Sequence, residues 1–417
     1  MTSRQKMLDP ILPVRPPVAA AGPSKPRAAR GSRLSELDAL RGLAALSVFL
    51  GHAFGMMSPT PKVLMVIQNT PLRFFYDGNA AVLLFFVLSG FVLNLRYAEA
   101  KSYAPGWAGS FIIRRVCRIY PSFLASMGLA LLLRTCFFKP QWTQGFSVWF
   151  SAFWQEPLSW GQVGRCFTLV GPNIQTAFIN PPVWSLVFEM RISLFFPLVI
   201  LLVNPKRRAA WDALLVLALY TGSMLLAPFA ASFQYFPQFV LGAVCAKYFS
   251  RIQPWLAARS GPTKVGWLVA ALILYGTGVT VEPLHLQDGR AKFLVTQLIS
   301  FGATGIILSS ASSGRIGSLL RTGPFQFLGR TSYSFYLSHF LFLLAVAPLL
   351  YLASGSYVIA WLGTLAVAYL ASDLLFKFVE VPGMRVGSWL SDIFAKRWDA
   401  CRKRTKLGAS APAPSAR

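Results

Sequence analysis

An all-α, multi-pass membrane protein is the fold class that this sequence predicts, and three observations predict it. Of its 417 residues, 55% are hydrophobic and 14% aromatic, while only 13% are charged. The apolar residues gather into about ten segments near the roughly 17–25 residues that an α-helix needs to cross a bilayer. The 40 Lys and Arg, which give a formal net charge of +26, fall mostly between those segments and favour one side, as topology signals do. In a soluble chain that charge would suggest nucleic acid; here it suggests a bilayer partner and no nucleic acid.

In order, the spans are expected near residues 37–57, 79–97, 119–138, 182–203, 210–228, 233–250, 265–281, 292–311, 327–352 and 357–378. With the N-terminus inside, Lys206-Arg207-Arg208 and Arg402-Lys403-Arg404 both fall on the cytoplasmic side, so ten spans with both termini cytoplasmic are expected. Residues 1–35 are rich in Pro, Ala and Arg and carry no apolar run long enough for a signal sequence, so they read as a disordered basic cytoplasmic tail. Residues 36–380 form the transmembrane domain, and residues 381–417 read as a second basic cytoplasmic tail.

Ionisable side chains inside the apolar spans are the candidates for chemistry, because lipid disfavours them unless they face a protein interior or a watery cavity. Arg41 and His52 stand eleven residues apart on the first span. That step turns about 1100°, roughly 20° past three full turns, and climbs about 16 Å, so both side chains share one face. Asp38 lies one turn from Arg41 and can pair with it. Glu189 lies about two turns into the fourth span, where a carboxylate needs either a partner helix or a task. Its near neighbour Arg191 cannot be that partner, since residues two apart on a helix do not face each other.

Other segments add recognition chemistry. Ser89-Gly90 on the second span is a small pair that admits either another backbone or a slim ligand. Arg114, Arg115 and Arg118 precede the third span; guanidinium groups bind phosphate oxygens bidentately, although positive-inside charge also accounts for them. Trp184 and Ser185 open the fourth span, and Tyr333 and His339 lie on the ninth, where His339 is equally an interhelical hydrogen-bonding group or a member of the site. The outer loop 139–181 carries Trp142, Trp149, Trp154 and Trp160, either an interfacial belt or a platform for sugar rings. Five cysteines without a CxxC pair and three scattered histidines give no metal site, though Cys136 and Cys166 both lie near the outer side, within reach of a disulfide.

Together, Leu37-Asp38-x-Leu40-Arg41-Gly42 leading to His52, Phe85-Phe86-x-x-Ser89-Gly90-Phe91, Arg114-Arg115-x-x-Arg118-Ile119-x-Pro121, Trp184-Ser185-Leu186-x-x-Glu189 and Ser332-Tyr333-x-x-Tyr336-Leu337-x-His339 resemble the acyltransferase 3 family. That family includes integral-membrane O-acetylases of bacterial O-antigens, exopolysaccharides and Nod factors. The resemblance implies an O-acyltransferase of the bacterial inner membrane that moves an acyl group, usually acetyl, from cytosolic acetyl-CoA or another acyl-CoA to a carbohydrate hydroxyl of a polysaccharide, lipopolysaccharide or glycolipid. It also implies His52, Arg41 and Glu189 as catalytic residues and Arg114, Arg115 and Arg118 as the donor-phosphate site. With that reading, the donor's slim arm is expected beside Ser89 and Gly90 and the acceptor near Trp184, Ser185, Tyr333 and His339. His52 would act as general base or as nucleophile, while Glu189 would hold His52 in its productive tautomer or bind sugar hydroxyls. Some relatives carry a fused extracytoplasmic domain, for which this sequence shows no counterpart. Buried charge in many spans also suits a transporter or flippase of lipid-linked saccharides, and a homo-oligomer is compatible with either reading.

Overall fold

The computed structural model describes residues 34–59, 62–67, 70–98, 100, 102–171, 174–226, 232–278, 289–312 and 314–409. Among them every regular element is helical. In chain order these are α1 (Ser35–Gly55), α2 (Lys62–Ile67), α3 (Gly78–Leu95), α4 (Trp107–Leu132), α5 (Val148–Ser151), α6 (Trp160–Cys166), α7 (Trp184–Leu202) and α8 (Ala209–Leu226). They continue as α9 (Ser232–Ala257), α10 (Gly261–Tyr275), α11 (Gly289–Ser312), α12 (Gly314–Leu320), α13 (Gly323–Ala345), α14 (Ala347–Ser354), α15 (Tyr357–Leu375) and α16 (Val381–Ala409).

The surface is that of a protein made for lipid. Phe195 is 61% exposed, Leu217 65% and Leu370 67%, while Ser193, Ser300, Ser334, Ser338, Thr364 and Ser372 are buried. Water would favour the reverse arrangement, whereas a bilayer asks polar groups to find partners inside the bundle. Ser334 meets Glu380 at 2.9 Å, and Asp212 accepts from Lys247 at 2.5 Å and Tyr248 at 2.6 Å.

Seven helices among the described residues are long and apolar enough to cross a membrane, or eight if the bent pair α13 and α14 counts as one span. The difference from ten lies at the sixth and seventh expected spans. The sixth is α9, whose 26 residues include Pro237 and Pro254 and several polar side chains. The seventh is α10, only 15 residues, or about 22 Å at 1.5 Å per residue, against a hydrocarbon core near 30 Å. Its expected end falls partly on residues outside those described.

Glycines set the closest helix contacts. On α1, a Cβ at Gly42 would come within 2.5–2.6 Å of the Leu328 and Gly329 backbone of α13, and Gly329 in turn lies on the backbone of Asp38 and Ala39. Gly90 of α3 is filled by the backbone of Phe239 on α9, and Gly242 of α9 abuts the backbone of Val87 and Phe91. Without a hydrophobic force between helices in lipid, such small-residue contacts supply the packing that holds them. α1 and α13 run parallel: Gln326 donates to the Ser35 carbonyl at 3.0 Å, Arg321 pairs with Glu36, and the far ends meet at His52 and His339.

The segment expected as a second tail is structured. After a π-helical turn (Phe376–Glu380), α16 continues from α15 to Ala409 and packs along α4. Gly383 and Gly387 lie against Cys117 and Pro121, Phe394 fills the space at Gly109, and Trp398 covers Gly106. Glycines in one stretch and aromatics further along the same face, all turned to α4, let this basic helix dock, which composition alone did not reveal. The expected tail over residues 1–35 falls almost wholly outside the described residues, as do residues 410–417 and His285.

Candidate active site

Two groups of side chains, joined along α13, make up the site. The first gathers at the N-terminal halves of α1 and α4. Arg41 donates to Asp38 at 3.1 Å, the one-turn pair that spacing allowed. Arg115 donates to Glu189 on α7 at 2.6 Å and to Ser193 at 3.3 Å. Ser89 of α3 reaches the same Glu189 oxygen at 3.4 Å. Arg118 completes the group: its charge reaches Arg41 and Arg115, and it makes no hydrogen bond or ion pair among the described residues. Three guanidinium groups (Arg41, Arg115, Arg118) face two carboxylates (Asp38, Glu189), with a third, Glu380, electrostatically close at Tyr333, so it is Arg118, unbonded among the described residues, that offers donors to an anion. Tyr333 borders the group, donating to the Ile119 carbonyl at 2.9 Å.

The second group lies at the opposite end of α1. His52 Nδ1 and His339 Nε2 are 3.0 Å apart, with ring centres 5.2 Å apart and planes inclined by only 6°. The nitrogen distance is close to the smallest that two rings so separated can reach. The nitrogens therefore lie nearly on the line between ring centres, edge to edge in a common plane. His339, fully buried on α13, directs Nδ1 at the carbonyls of Tyr336 (2.9 Å) and Phe335 (3.1 Å). His52 is only partly buried. Trp149, from the one-turn helix α5 in the long loop between α4 and α7, lies over it at 5.8 Å and 29°, and Phe340 meets it edge-on at 4.8 Å.

Between the groups, Tyr336 hydrogen-bonds Ser185 at 2.8 Å and the Pro182 carbonyl at 3.1 Å, and its ring lies 5.9 Å from that of His339. Tyr333, Tyr336 and His339, each three residues on, thus run from the arginine group to the histidine pair along α13.

Several expectations for individual residues change. Glu189 does not orient His52; it is held by Arg115 and Ser89, and the partner of His52 is His339. Gly90 offers no passage for a slim ligand, because the backbone of Phe239 occupies its notch; only Ser89 turns toward the site. The three arginines do not form one fork, since Arg114 points to α16 and donates to Ser391 at 2.5 Å. Trp184 packs with Phe188 and Tyr235, while Ser185 serves Tyr336. Of the loop tryptophans, Trp154 is buried, with Nε1 donating to the Ile179 carbonyl at 2.8 Å, and Trp160 is 72% exposed. Cys136 and Cys166 are both free thiols, the latter bonded to the Gln175 carbonyl at 3.2 Å. No group of three metal-ligating side chains occurs among the described residues.

Sequence reading missed the placement of Trp149 over His52 and the bridging role of Tyr336. The signal for Tyr336 was available, since it stands three residues before His339 on the same helix. Trp149 arrives from a loop whose path no periodicity encodes.

The family model described as an acyltransferase domain matches residues 34–377. Acyltransferase MdmB of Streptomyces mycarofaciens is 30% identical over 387 residues, covering 85% of this chain and 92% of the relative. Acyltransferase R4 of Phoma sp. is 23% identical over 464 residues, covering 86% and 96%, and acyltransferase clz18 of Cochliobolus lunatus is 22% identical over 399 residues, covering 75% and 83%. No solved structure matches the chain.

Proposed function

Since the chain belongs to the acyltransferase domain family, whose match spans residues 34–377, and is a multi-pass membrane enzyme, we propose that it transfers an acyl group, most simply acetyl, from cytosolic acyl-CoA to an acceptor hydroxyl at the outer side of the bacterial inner membrane. The observation that carries this reading is an arginine group that includes Arg41 of α1 and, about 16 Å further along the same helix, the imidazole of His52. From its pyrophosphate to its sulfur, a CoA thioester spans about thirteen bonds, roughly 16 Å at the ~1.2 Å per bond of an extended chain. Arg118 and Arg41 at the phosphates and His52 at the thioester fit the two ends of one donor.

His52 supplies the proton chemistry. Its Nε2 takes the proton of the acceptor hydroxyl as the oxygen attacks the thioester carbonyl, and the C–S bond breaks as the new C–O bond forms. The departing thiolate takes that proton back from His52, leaving ester and free thiol with atoms and charge balanced. Arg115 and Glu189 hold each other, and with them the wall of the donor site, rather than entering this step. Trp149 over His52 offers an apolar face on which a sugar ring of a polysaccharide or glycolipid can lie, while keeping water from the thioester.

Membrane vesicles of both orientations, supplied with acetyl-labelled acetyl-CoA, test the proposal. Label is expected on an ester-linked membrane or outer-face glycan with wild-type protein and at background with His52→Ala at matched expression. Equal incorporation by both proteins would remove His52 from the chemistry.

A further inference from the structure

We propose that His339 is the positioning residue of the site: it takes the place that a carboxylate holds in other imidazole-based sites, locking His52 in the tautomer whose reactive nitrogen is Nε2. Backbone carbonyls only accept, so His339 Nδ1, at 2.9 Å from the Tyr336 carbonyl and 3.1 Å from that of Phe335, carries a proton. In a neutral imidazole one nitrogen donates and the other accepts, so His339 Nε2 is the acceptor. His52 Nδ1, 3.0 Å away and nearly in line with it, must then donate. A neutral His52 with its proton on Nδ1 has its lone pair on Nε2, at the far side of the ring from His339.

Three features make this more than a packing contact. His339 is wholly buried while His52 is not, so the inner ring cannot be the one that meets substrate. Two carbonyls converge on one N–H, which holds the inner ring in a single orientation and a single tautomer. Phe335 and Phe340 flank the pair: the Phe335 ring lies 5.6 Å from that of His339, and Phe340 closes on His52 from the edge. When His52 gains the acceptor proton on Nε2, its Nδ1–H already faces a free lone pair on His339, and two backbone dipoles lie behind that ring. The pair therefore keeps His52 oriented through the proton transfer without placing a fixed anion among the apolar spans.

The kinetic part of this inference rests on the acyl-transfer reading; the tautomer part does not. The chain has three histidines, His52, His285 and His339, so the full-length protein labelled with ¹⁵N in its histidine rings gives six ring-nitrogen resonances, assigned with His285→Asn and His339→Gln. His52 is expected to show a protonated, pyrrole-type Nδ1 and an unprotonated Nε2 at neutral pH, opposite to the preference of free histidine. A His52 protonated on Nε2 would overturn the proposal whether or not the protein acts on acyl-CoA. In the transfer assay, His339→Gln keeps a carbonyl oxygen to accept from His52 and is expected to stay within tenfold of wild-type kcat. His339→Leu removes the acceptor and is expected to lower kcat about 100-fold, at the lower end of what a correctly poised general base contributes, with KM for acetyl-CoA unchanged. Both variants are checked for the wild-type unfolding temperature. Equal kcat for Leu and Gln at position 339 in folded protein would show that the contact is only structural.

Discussion

Gly42 on α1 and Gly329 on α13 touch backbone to backbone, and ten residues beyond each stands a histidine of the pair, His52 and His339. Two parallel helices pinned at a common level rise by equal amounts, about 15 Å over ten residues. Their histidines consequently arrive at the same height, edge to edge. The crossing point is thus part of the geometry of the chemistry at the other end.

Replacing Gly42 with Ala should disturb both. Alanine favours a helix over glycine by about 0.5–1 kcal/mol, but here the new methyl would stand 2.5 Å from a Leu328 backbone atom. Separating two helices costs more than the propensity gain, about 1–3 kcal/mol for an overpacked contact. Gly128, with nothing within 4 Å of its Cβ position, is the control. Thermal unfolding in detergent should show Gly42→Ala lowered and Gly128→Ala unchanged or raised, with transfer activity lost only in the first.

Arg115 and Glu189 should behave as a coupled pair. Their side chains are 11% and 21% exposed, so removing one charge leaves the other in an interior that cannot solvate it, at a cost of about 3 kcal/mol or more. Glu189→Gln alone should destabilise strongly, and so should Arg115→Met. The double variant should recover part of the loss in a double-mutant cycle read by unfolding midpoint. Strict additivity would mean the two groups do not support each other.

How far the sequence carried these results depends on range. The all-helical class, the face shared by Arg41 and His52, and the Arg41–Asp38 pair follow from local spacing, and local spacing is read directly from sequence. Glu189 was recognisable as a buried carboxylate needing a partner, but whether that partner was Arg115 or His52 depends on how α4 and α7 pack. The Ser89-Gly90 pair had the same ambiguity: a small notch admits a ligand or a neighbouring backbone, and Phe239 lies about 150 residues away. Docking of α16 was hidden for a related reason. Its Gly383 and Gly387 become legible only when Pro121 and Cys117 stand opposite.

Arg114 and Arg118 should separate by function. Arg118 has no hydrogen-bonding partner of its own among the described residues and lies within electrostatic reach of Arg41, whereas Arg114 is committed to Ser391. Hydrogen bonds to charged groups contribute about 1.5–3 kcal/mol, so Arg118→Ala should weaken acetyl-CoA binding roughly 10- to 100-fold with little change in stability. Arg114→Ala should leave donor affinity within about twofold and instead speed hydrogen exchange in α16. Titration of purified protein with acetyl-CoA, beside exchange measurements, distinguishes the two. Loss of donor binding in Arg114→Ala alone would place the phosphates against α16.

Trp149 should govern what reaches His52 from outside. Its ring lies 5.8 Å from His52 and also contacts Phe153 and Phe340, while Gly55 leaves room for it, a Cβ there standing 3.2 Å from the indole. An aromatic contact of this kind contributes about 0.5–1.5 kcal/mol beyond area burial. Trp149→Ala should therefore raise KM for the acceptor by roughly 2- to 10-fold and leave KM for acetyl-CoA unchanged. It should also admit water to the thioester, so the ratio of acetyl-CoA hydrolysis to acyl transfer should rise, with Trp149→Phe intermediate in both respects. Measuring free CoA and esterified product in the same vesicles gives that ratio directly. A higher acceptor KM with unaltered hydrolysis would mean the indole binds sugar without shielding the thioester, and an altered acetyl-CoA KM would move it to the donor side.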